Sequence, residues 1–230
     1  MRGLYAILDT TALEARSIPL VDAARAVAAA GVACLQVRAK DVGARRTLEL
    51  LRAVGAVRGD VPLVANDRPD LAILAEASGV HVGQEDVPPS LARFLADERG
   101  RPLIVGLSTH DRDQMLAALD EPIDYVAIGP VLSTTSKANP DPVLGLDLAL
   151  SLAREAHERR PGLPVCAIGG IGLEAATVLA AEFDLIAVIG ALVADGAATA
   201  TDVGARARAL VSAIDAARRP PRPTTSEATP

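Results

Sequence analysis

The chain has 230 residues, half of them hydrophobic, and a formal net charge of −6. That length fits one large domain or two small ones, with ample apolar surface for a core. The acidic balance and the lack of a basic stripe interleaved with aromatics exclude a general nucleic-acid binder, and no apolar run is long enough to cross a bilayer.

Taken in chain order, short apolar runs at 4–8, 34–37, 63–65, 80–82, 103–107, 125–128, 165–168 and 185–189 predict strands. Helical patterns lie between and after them, at 20–30, 47–57, 69–77, 90–96, 112–119, 146–158, 173–181 and 203–217. Pro69 suits a first helical turn, where its missing N–H costs nothing. Asp111 and Asp202 are expected as N-caps. Eight strands alternating with eight helices is the α/β pattern of a (β/α)₈ TIM barrel. The strand runs are almost continuously apolar, as parallel strands buried on both faces should be. A doubly wound open sheet is the alternative, but no GxGxxG follows the first strand. One domain is therefore expected over 1–217. From Arg218 the chain reads Arg-Arg-Pro-Pro-Arg-Pro-Thr-Thr-Ser-Glu-Ala-Thr-Pro, and 218–230 is expected to be a disordered tail. Cys34 and Cys166 sit in separate apolar runs without metal or CxxC spacing. Buried free thiols are expected, in a cytoplasmic protein with no signal peptide.

Active sites of this barrel form at the C-terminal ends of the strands, so the residues that close each run matter most. Lysine occurs twice, at Lys40 and Lys137, against 21 arginines. Lys is a compact point charge and Arg a wide planar fork, so a small cation beside a phosphate oxygen distinguishes them. Gln36, Arg38 and Lys40 are spaced by two and share one side of the second strand, an arrangement that suits a polyanion. The third run ends in Asn66-Asp67-Arg68 and the fourth in His81-Val82-Gly83-Gln84-Glu85-Asp86. Magnesium takes one or two carboxylates plus waters and substrate phosphates, which makes Asp67 and Asp86 the candidates, with Glu85 a rival to Asp86. Ser108, after the fifth run, either donates to a phosphate or ring nitrogen or caps the next helix. No acidic orienter can be assigned to His110, and His157 is expected to be exposed. The sixth run opens a long loop to about Leu144, carrying Thr134, Thr135, Ser136 and Lys137, a composition that suits a phosphate clamp. Glycines after the last two strands, Gly169, Gly170, Gly172 and Gly190, let backbone N–H groups approach an anion.

Together these segments resemble the thiamine-phosphate synthase family. The likeness runs from Leu4-Tyr5 to the last helix and rests on six motifs in order: 36–40, 66–68, 79–86, 106–110, Asp124-Tyr125 with Gly129-Pro130, and 167–171. It implies a (β/α)₈ barrel that condenses hydroxymethylpyrimidine diphosphate with hydroxyethylthiazole phosphate and releases pyrophosphate. By resemblance, Gln36, Val37, Arg38, Ala39, Lys40, Asn66, Ser108 and Lys137 hold the pyrimidine diphosphate. Asp67 and Asp86 bind magnesium (Mg2+). Thr134, Thr135, Ser136, Gly170, Ile189 and Gly190 hold the thiazole phosphate. Lys137, Arg38 and Ser108 are the implied catalytic residues, in a dissociative reaction without a protein nucleophile. Ser136 stands where the family often has Thr, and Gly190 where Ser is frequent. A thiazole tautomerase on the same barrel would not need Asp67, Asp86 and Lys137 together. A non-catalytic thiazole-phosphate binder would show saturable binding without pyrophosphate release. The partners implied are the two small-molecule substrates, with no nucleic acid or membrane, and an Ala-rich barrel is compatible with a homo-oligomer.

Overall fold

The computed structural model describes residues 1–40, 42–134, 141–194 and 196–218. Its strands are β1 (Gly3–Asp9), β2 (Cys34–Arg38), β3 (Leu63–Asn66), β4 (Gly79–Val82), β5 (Ile104–Thr109), β6 (Tyr125–Ile128), β7 (Val165–Ile168) and β8 (Leu185–Val188). They close in sequence order into one parallel barrel, with β8 paired back to β1. The helices are α1 (Thr10–Glu14), α2 (Leu20–Ala28), α3 (Ala44–Gly55), α4 (Pro69–Leu74), α5 (Pro89–Glu98), α6 (Arg112–Ala118), α7 (Leu146–Arg159), α8 (Leu173–Leu179) and α9 (Ala200–Arg218). The eight expected strands are all present. The short α1 was not expected: at five residues it is too brief for a periodic pattern, and it is nucleated by Asp9, whose carboxylate accepts from Ala12 N at 2.9 Å.

Local chemistry fixes the helix starts. Pro69 opens α4 and Pro89 opens α5 in their first turns. Asp111 caps α6 by accepting from Gln114 N at 2.8 Å. Asp202 is not a cap as expected. Thr199 Oγ1 accepts from Asp202 N at 3.2 Å while Asp202 accepts from Thr199 N at 2.9 Å, so Asp202 is the third-position partner of a capping box. The helical chain also includes Arg218, one residue beyond the expected domain end. Its guanidinium donates to the carbonyls of Phe183 at 2.6 Å and Asp184 at 2.7 Å. Residues 219–230, the rest of the expected tail, lie outside the described residues.

The N-terminal rim of the barrel is stapled by side chains. Ser78, Asp124 and Asp184 stand just before or at the start of β4, β6 and β8. Each accepts a backbone N–H from the preceding strand: Leu63, Val105 and Val165 at 3.1, 2.7 and 3.0 Å. Arg93 from α5 completes one staple, donating to Asp124 at 2.5 Å and to Pro122 O at 2.8 Å.

Alternation along the strands divides the core in two. One side of each strand meets the helices in an Ala-, Val- and Leu-rich layer. The other side fills the barrel interior with Tyr5, Ile7, Cys34, Val64, Tyr125, Ala127, Cys166, Leu185 and Ala187. Both cysteines are free and buried there, and burial pushes both thiols up. The interior therefore holds both of the chain's tyrosines. Register explains how a large ring fits. Gly106 pairs with His81 on one side and Tyr125 on the other. With no Cβ at Gly106, the Tyr125 ring crosses over it and stacks on His81, with centroids 5.6 Å apart and planes 15° apart. A Cβ at Gly106 would sit 2.0 Å from Tyr125 Cζ. The neighbouring atoms are a ring in a closed barrel, so nothing can yield. Gly106→Ala is expected to lose about 3 kcal/mol of stability, read as a lower urea midpoint. An unchanged midpoint would mean that the ring can move out of the slot.

Candidate active site

The C-terminal mouth of the barrel opens into a cavity of about 400 Å³. Three inward residues of the second strand and the residues after it set one wall. Gln36, Arg38 and Lys40 all line the cavity, as their spacing required. Val37 and Ala39 point the other way and pack into the layer between barrel and helices. Neither lines the cavity.

Arg38 is held from below. It pairs in register with Asp9, and its Nη1 donates to Asp9 Oδ2 in a short ion pair. Asp9 is 6 % exposed and uses its other oxygen on α1. One carboxylate thus fixes a helix start and a guanidinium at the cavity floor. Sequence reading passed over Asp9, although it closes the first strand as Arg38 closes the second.

On the adjacent strands Asn66, Asp67 and Asp86 line the cavity and Glu85 does not. Asp86 accepts from Gly83 N at 2.7 Å and so is turned back over the strand end. Asp67 adopts φ 63°, a left-handed conformation that Asp tolerates better than most residues. Burial raises the Asp67 carboxyl above its ordinary range, and the neighbouring Asp86 raises it further. Lys40 opposes this from 3.5 Å. Arg68 takes no part, because it turns outward to a two-point pair with Asp70 at 2.8 and 2.6 Å. Two carboxylates brought together at a strained backbone position, one of them resisting ionisation, form a donor set that a hard divalent cation relieves. Among the described residues no cluster of three or more His, Cys, Asp or Glu forms a closed metal cage. Two carboxylates with room for water and ligand oxygens fit a magnesium-like ion.

The opposite wall is backbone. Gly169 and Gly170 adopt φ 97° and 71°. A Cβ on Gly170 would lie 2.4 Å from Ser133 O, because the loop after β6 packs directly on the loop after β7. Two ladder-like bonds hold them together, Val131 N to Ile168 O at 2.9 Å and Leu132 N to Gly169 O at 3.0 Å. Thr134, Ile189 and Gly190 also face the cavity. Thr135, Ser136 and Lys137 lie outside the described residues.

The floor is polar. Gln36 Nε2 donates to Tyr5 Oη at 2.8 Å, and Tyr5 and Tyr125 hydroxyls meet at 3.0 Å. Tyr125 Oη lies 2.9 Å from His81 Nδ1, and His81 Nε2 lies 2.8 Å from Ser108 Oγ. Burial pushes both tyrosine hydroxyls well up, so both keep their protons. Ser108 thus joins this string and does not cap α6, which Asp111 does. His110 has the acidic partner that sequence could not assign: Asp141 Oδ2 lies 3.4 Å from Nε2, with Gly129 O at 2.7 Å from Nδ1. His157 is half-buried, not simply exposed, and bonds Glu182 O at 3.0 Å.

The family model and the curated relatives agree on one family. Residues 4–192 match the family model described as thiamine monophosphate synthase. The chain is 42% identical over 196 residues to the thiamine-phosphate synthase of Koribacter versatilis, covering 84% of this chain and 89% of that protein. It is 40% identical over 221 residues to that of Myxococcus xanthus, covering 94% of each. The thiamine phosphate pyrophosphorylase from Pyrococcus furiosus superposes with a TM-score of 0.78 at 28% identity, over 94% of this chain and 97% of that one.

The carboxylate pair has a stability signature. A carboxyl whose folded-state pKa is raised favours the fold when protonated, so its contribution falls as pH rises from the ordinary carboxyl range through the raised value. At neutral pH, without divalent cation, Asp67→Asn is expected to stabilise the protein by about 1 kcal/mol. Asn also tolerates the left-handed backbone. Thermal unfolding of both proteins checks this. A destabilised variant would mean that the Lys40 pair outweighs the repulsion from Asp86.

Proposed function

The chain belongs to the thiamine monophosphate synthase family, and on that premise we propose that it condenses hydroxymethylpyrimidine diphosphate with hydroxyethylthiazole phosphate, releasing pyrophosphate. The observation that carries this reading is a single cavity with two unlike anion walls. Arg38, Lys40 and the Asp67–Asp86 pair form one. The glycine backbone after β7 and β8 forms the other. A diphosphate with a divalent cation suits the first, and a phosphomonoester suits the second.

The reaction needs no protein nucleophile. The C–O bond to pyrophosphate breaks first, with both electrons leaving on the diphosphate. The resulting pyrimidine-methylene cation is captured by the thiazole nitrogen, whose lone pair forms the new C–N bond. Asp67 and Asp86 would hold magnesium, which when bound supplies charge neutralisation to the leaving diphosphate. Arg38, braced by Asp9, stabilises the departing oxygens from a fixed direction. Lys40 adds a second cation on the same wall. Gln36, Asn66 and Ser108 bind the pyrimidine side, and Thr134, Gly170, Ile189 and Gly190 the thiazole phosphate. For Thr135, Ser136 and Lys137 the assignment rests on family resemblance. The cavity walls keep the cation from bulk water and hold the thiazole nitrogen in line, which supplies much of the rate by proximity.

The deciding experiment is an assay of purified protein for pyrophosphate and thiamine phosphate, with each substrate omitted in turn and with and without magnesium. Product that requires both substrates and magnesium is expected. Ligand binding without product would favour the tautomerase or the non-catalytic binder. Lys137→Ala is expected to raise the barrier by about 3 kcal/mol while leaving thiazole-phosphate affinity nearly unchanged. Equal turnover would remove Lys137 from the chemistry. At Gly190 a Cβ would meet nothing within 4 Å. Gly190→Ser is therefore expected to fold normally and to lower the KM for the thiazole phosphate on the order of fivefold through one added hydroxyl contact. An unchanged KM would put the phosphate out of reach of this position.

A further inference from the structure

The hydrogen-bonded string beneath the cavity has a direction. The Gln36 amide nitrogen only donates, so its 2.8 Å contact makes Tyr5 Oη an acceptor. Tyr5 keeps its own proton, and the acceptor in reach is Tyr125 Oη at 3.0 Å. Tyr125 then gives its proton to His81 Nδ1 at 2.9 Å. With Nδ1 accepting, the ring carries its proton on Nε2, which donates to Ser108 Oγ at 2.8 Å. The proton left over is that of Ser108, a residue lining the cavity. The opposite order fails at its far end. Tyr5 would accept from both Gln36 and Tyr125, and its proton would have no acceptor in the string. Tyr5 and Tyr125 are 1 % and 0 % exposed, so bulk water does not reach that hydroxyl.

We propose that Tyr5, Tyr125 and His81 form a positioning relay that locks opposite polarity onto two cavity residues, presenting Gln36 as an acceptor through Oε1 and Ser108 as a donor through its hydroxyl. Gln36 sits on β2 and Ser108 on β5, and the string between them is what ties the polarity of one to the other. The relay does this through the barrel interior, and Gly106 makes it possible by letting Tyr125 cross to His81. The ligand that fits is a flat heteroaromatic ring with an amine on one edge and an unprotonated ring nitrogen on another. This deepens the proposed function, since an aminopyrimidine has that pattern, and it rests on that reading for the identity of the ligand only. None of the three relay residues would touch the reacting atoms.

The test reads the histidine tautomer first, in ligand-free protein. The chain has three histidines, so ¹⁵N ring signals of His81 can be assigned with His110→Asn and His157→Asn. The expected result is a bare Nδ1 and a protonated Nε2. Tyr125→Phe keeps the ring over Gly106 and removes both hydroxyl contacts. It is expected to bring the two His81 nitrogen signals together and to raise the KM for the pyrimidine diphosphate about tenfold. On a Ser108→Ala background the same change should add less than about twofold, because the relay acts through Ser108. If Tyr125→Phe does not fold, Tyr5→Phe cuts the string one bond earlier and should likewise release the tautomer. A protonated Nδ1 in the wild type would overturn the relay. So would an unshifted tautomer in the variant that folds, or a Tyr125→Phe penalty undiminished by Ser108→Ala. Failure of the proposed function is separately visible: the tautomer arm needs no substrate, and direct binding of hydroxymethylpyrimidine diphosphate can replace the kinetic arm.

Discussion

Two tyrosine hydroxyls inside a closed barrel impose the constraint from which much of the interior follows. Each buries a large ring and brings along one polar atom that water cannot reach. A buried hydroxyl without a partner costs on the order of 1–3 kcal/mol. The two solve this by meeting each other, and the excess bonding capacity passes outward to Gln36 on one side and His81 on the other. The space for this arrangement exists because Gly106 lies in register between His81 and Tyr125. Packing and polarity are thus one problem here. The glycine that admits the ring also sets which atoms reach the cavity floor.

The cavity above is electrostatically divided, although the chain as a whole is acidic. On the outer surface arginines pair with carboxylates in forked geometry, as Arg112 does with Glu155 and Arg68 with Asp70. Inside, Arg38 has the Asp9 carboxylate beneath it and lines the cavity. Lys40 stands 3.5 Å from Asp67, close enough to temper the repulsion between Asp67 and Asp86 without closing the space between them. A compact ammonium on a flexible stem suits that position better than a guanidinium, which would claim both carboxylate oxygens. The scarcity of lysine in the chain gains a local reason at this residue.

Sequence made the barrel legible because parallel strands buried on both faces leave short apolar runs, and these recur between helical patterns along the whole chain. The rule that sites form at strand ends brought out Gln36, Arg38, Lys40, Asp67 and Asp86, all of which line the cavity. It did not separate side chain from backbone within 36–40, where alternation turns Val37 and Ala39 away from the ligand. The misses share a cause. Asp9 meets Arg38, His110 meets Asp141 and Tyr5 meets Tyr125 across separations of 29, 31 and 120 residues. Such contacts follow from strand register, loop packing and the closed interior, and they leave no period in the sequence. The tyrosines had one signal available: in a chain with two Tyr and two Phe, each Tyr occurs in a strand run.

The staples on the N-terminal rim join consecutive strands: β3 with β4, β5 with β6, β7 with β8. None of the three bridges from β4 to β5 or from β6 to β7. On the face opposite the cavity three strand pairs are thus each secured by a side chain borne just before the second member. In modular terms, the pair is the transferable unit and the gaps between pairs are the joints. A chain reopened at the β4–β5 joint, with its original ends linked, would keep both members of every staple close in sequence, whereas reopening it within a pair would place them at opposite ends of the new chain. The seams along which this barrel can be cut, permuted or recombined are thus set on the face that takes no part in the chemistry.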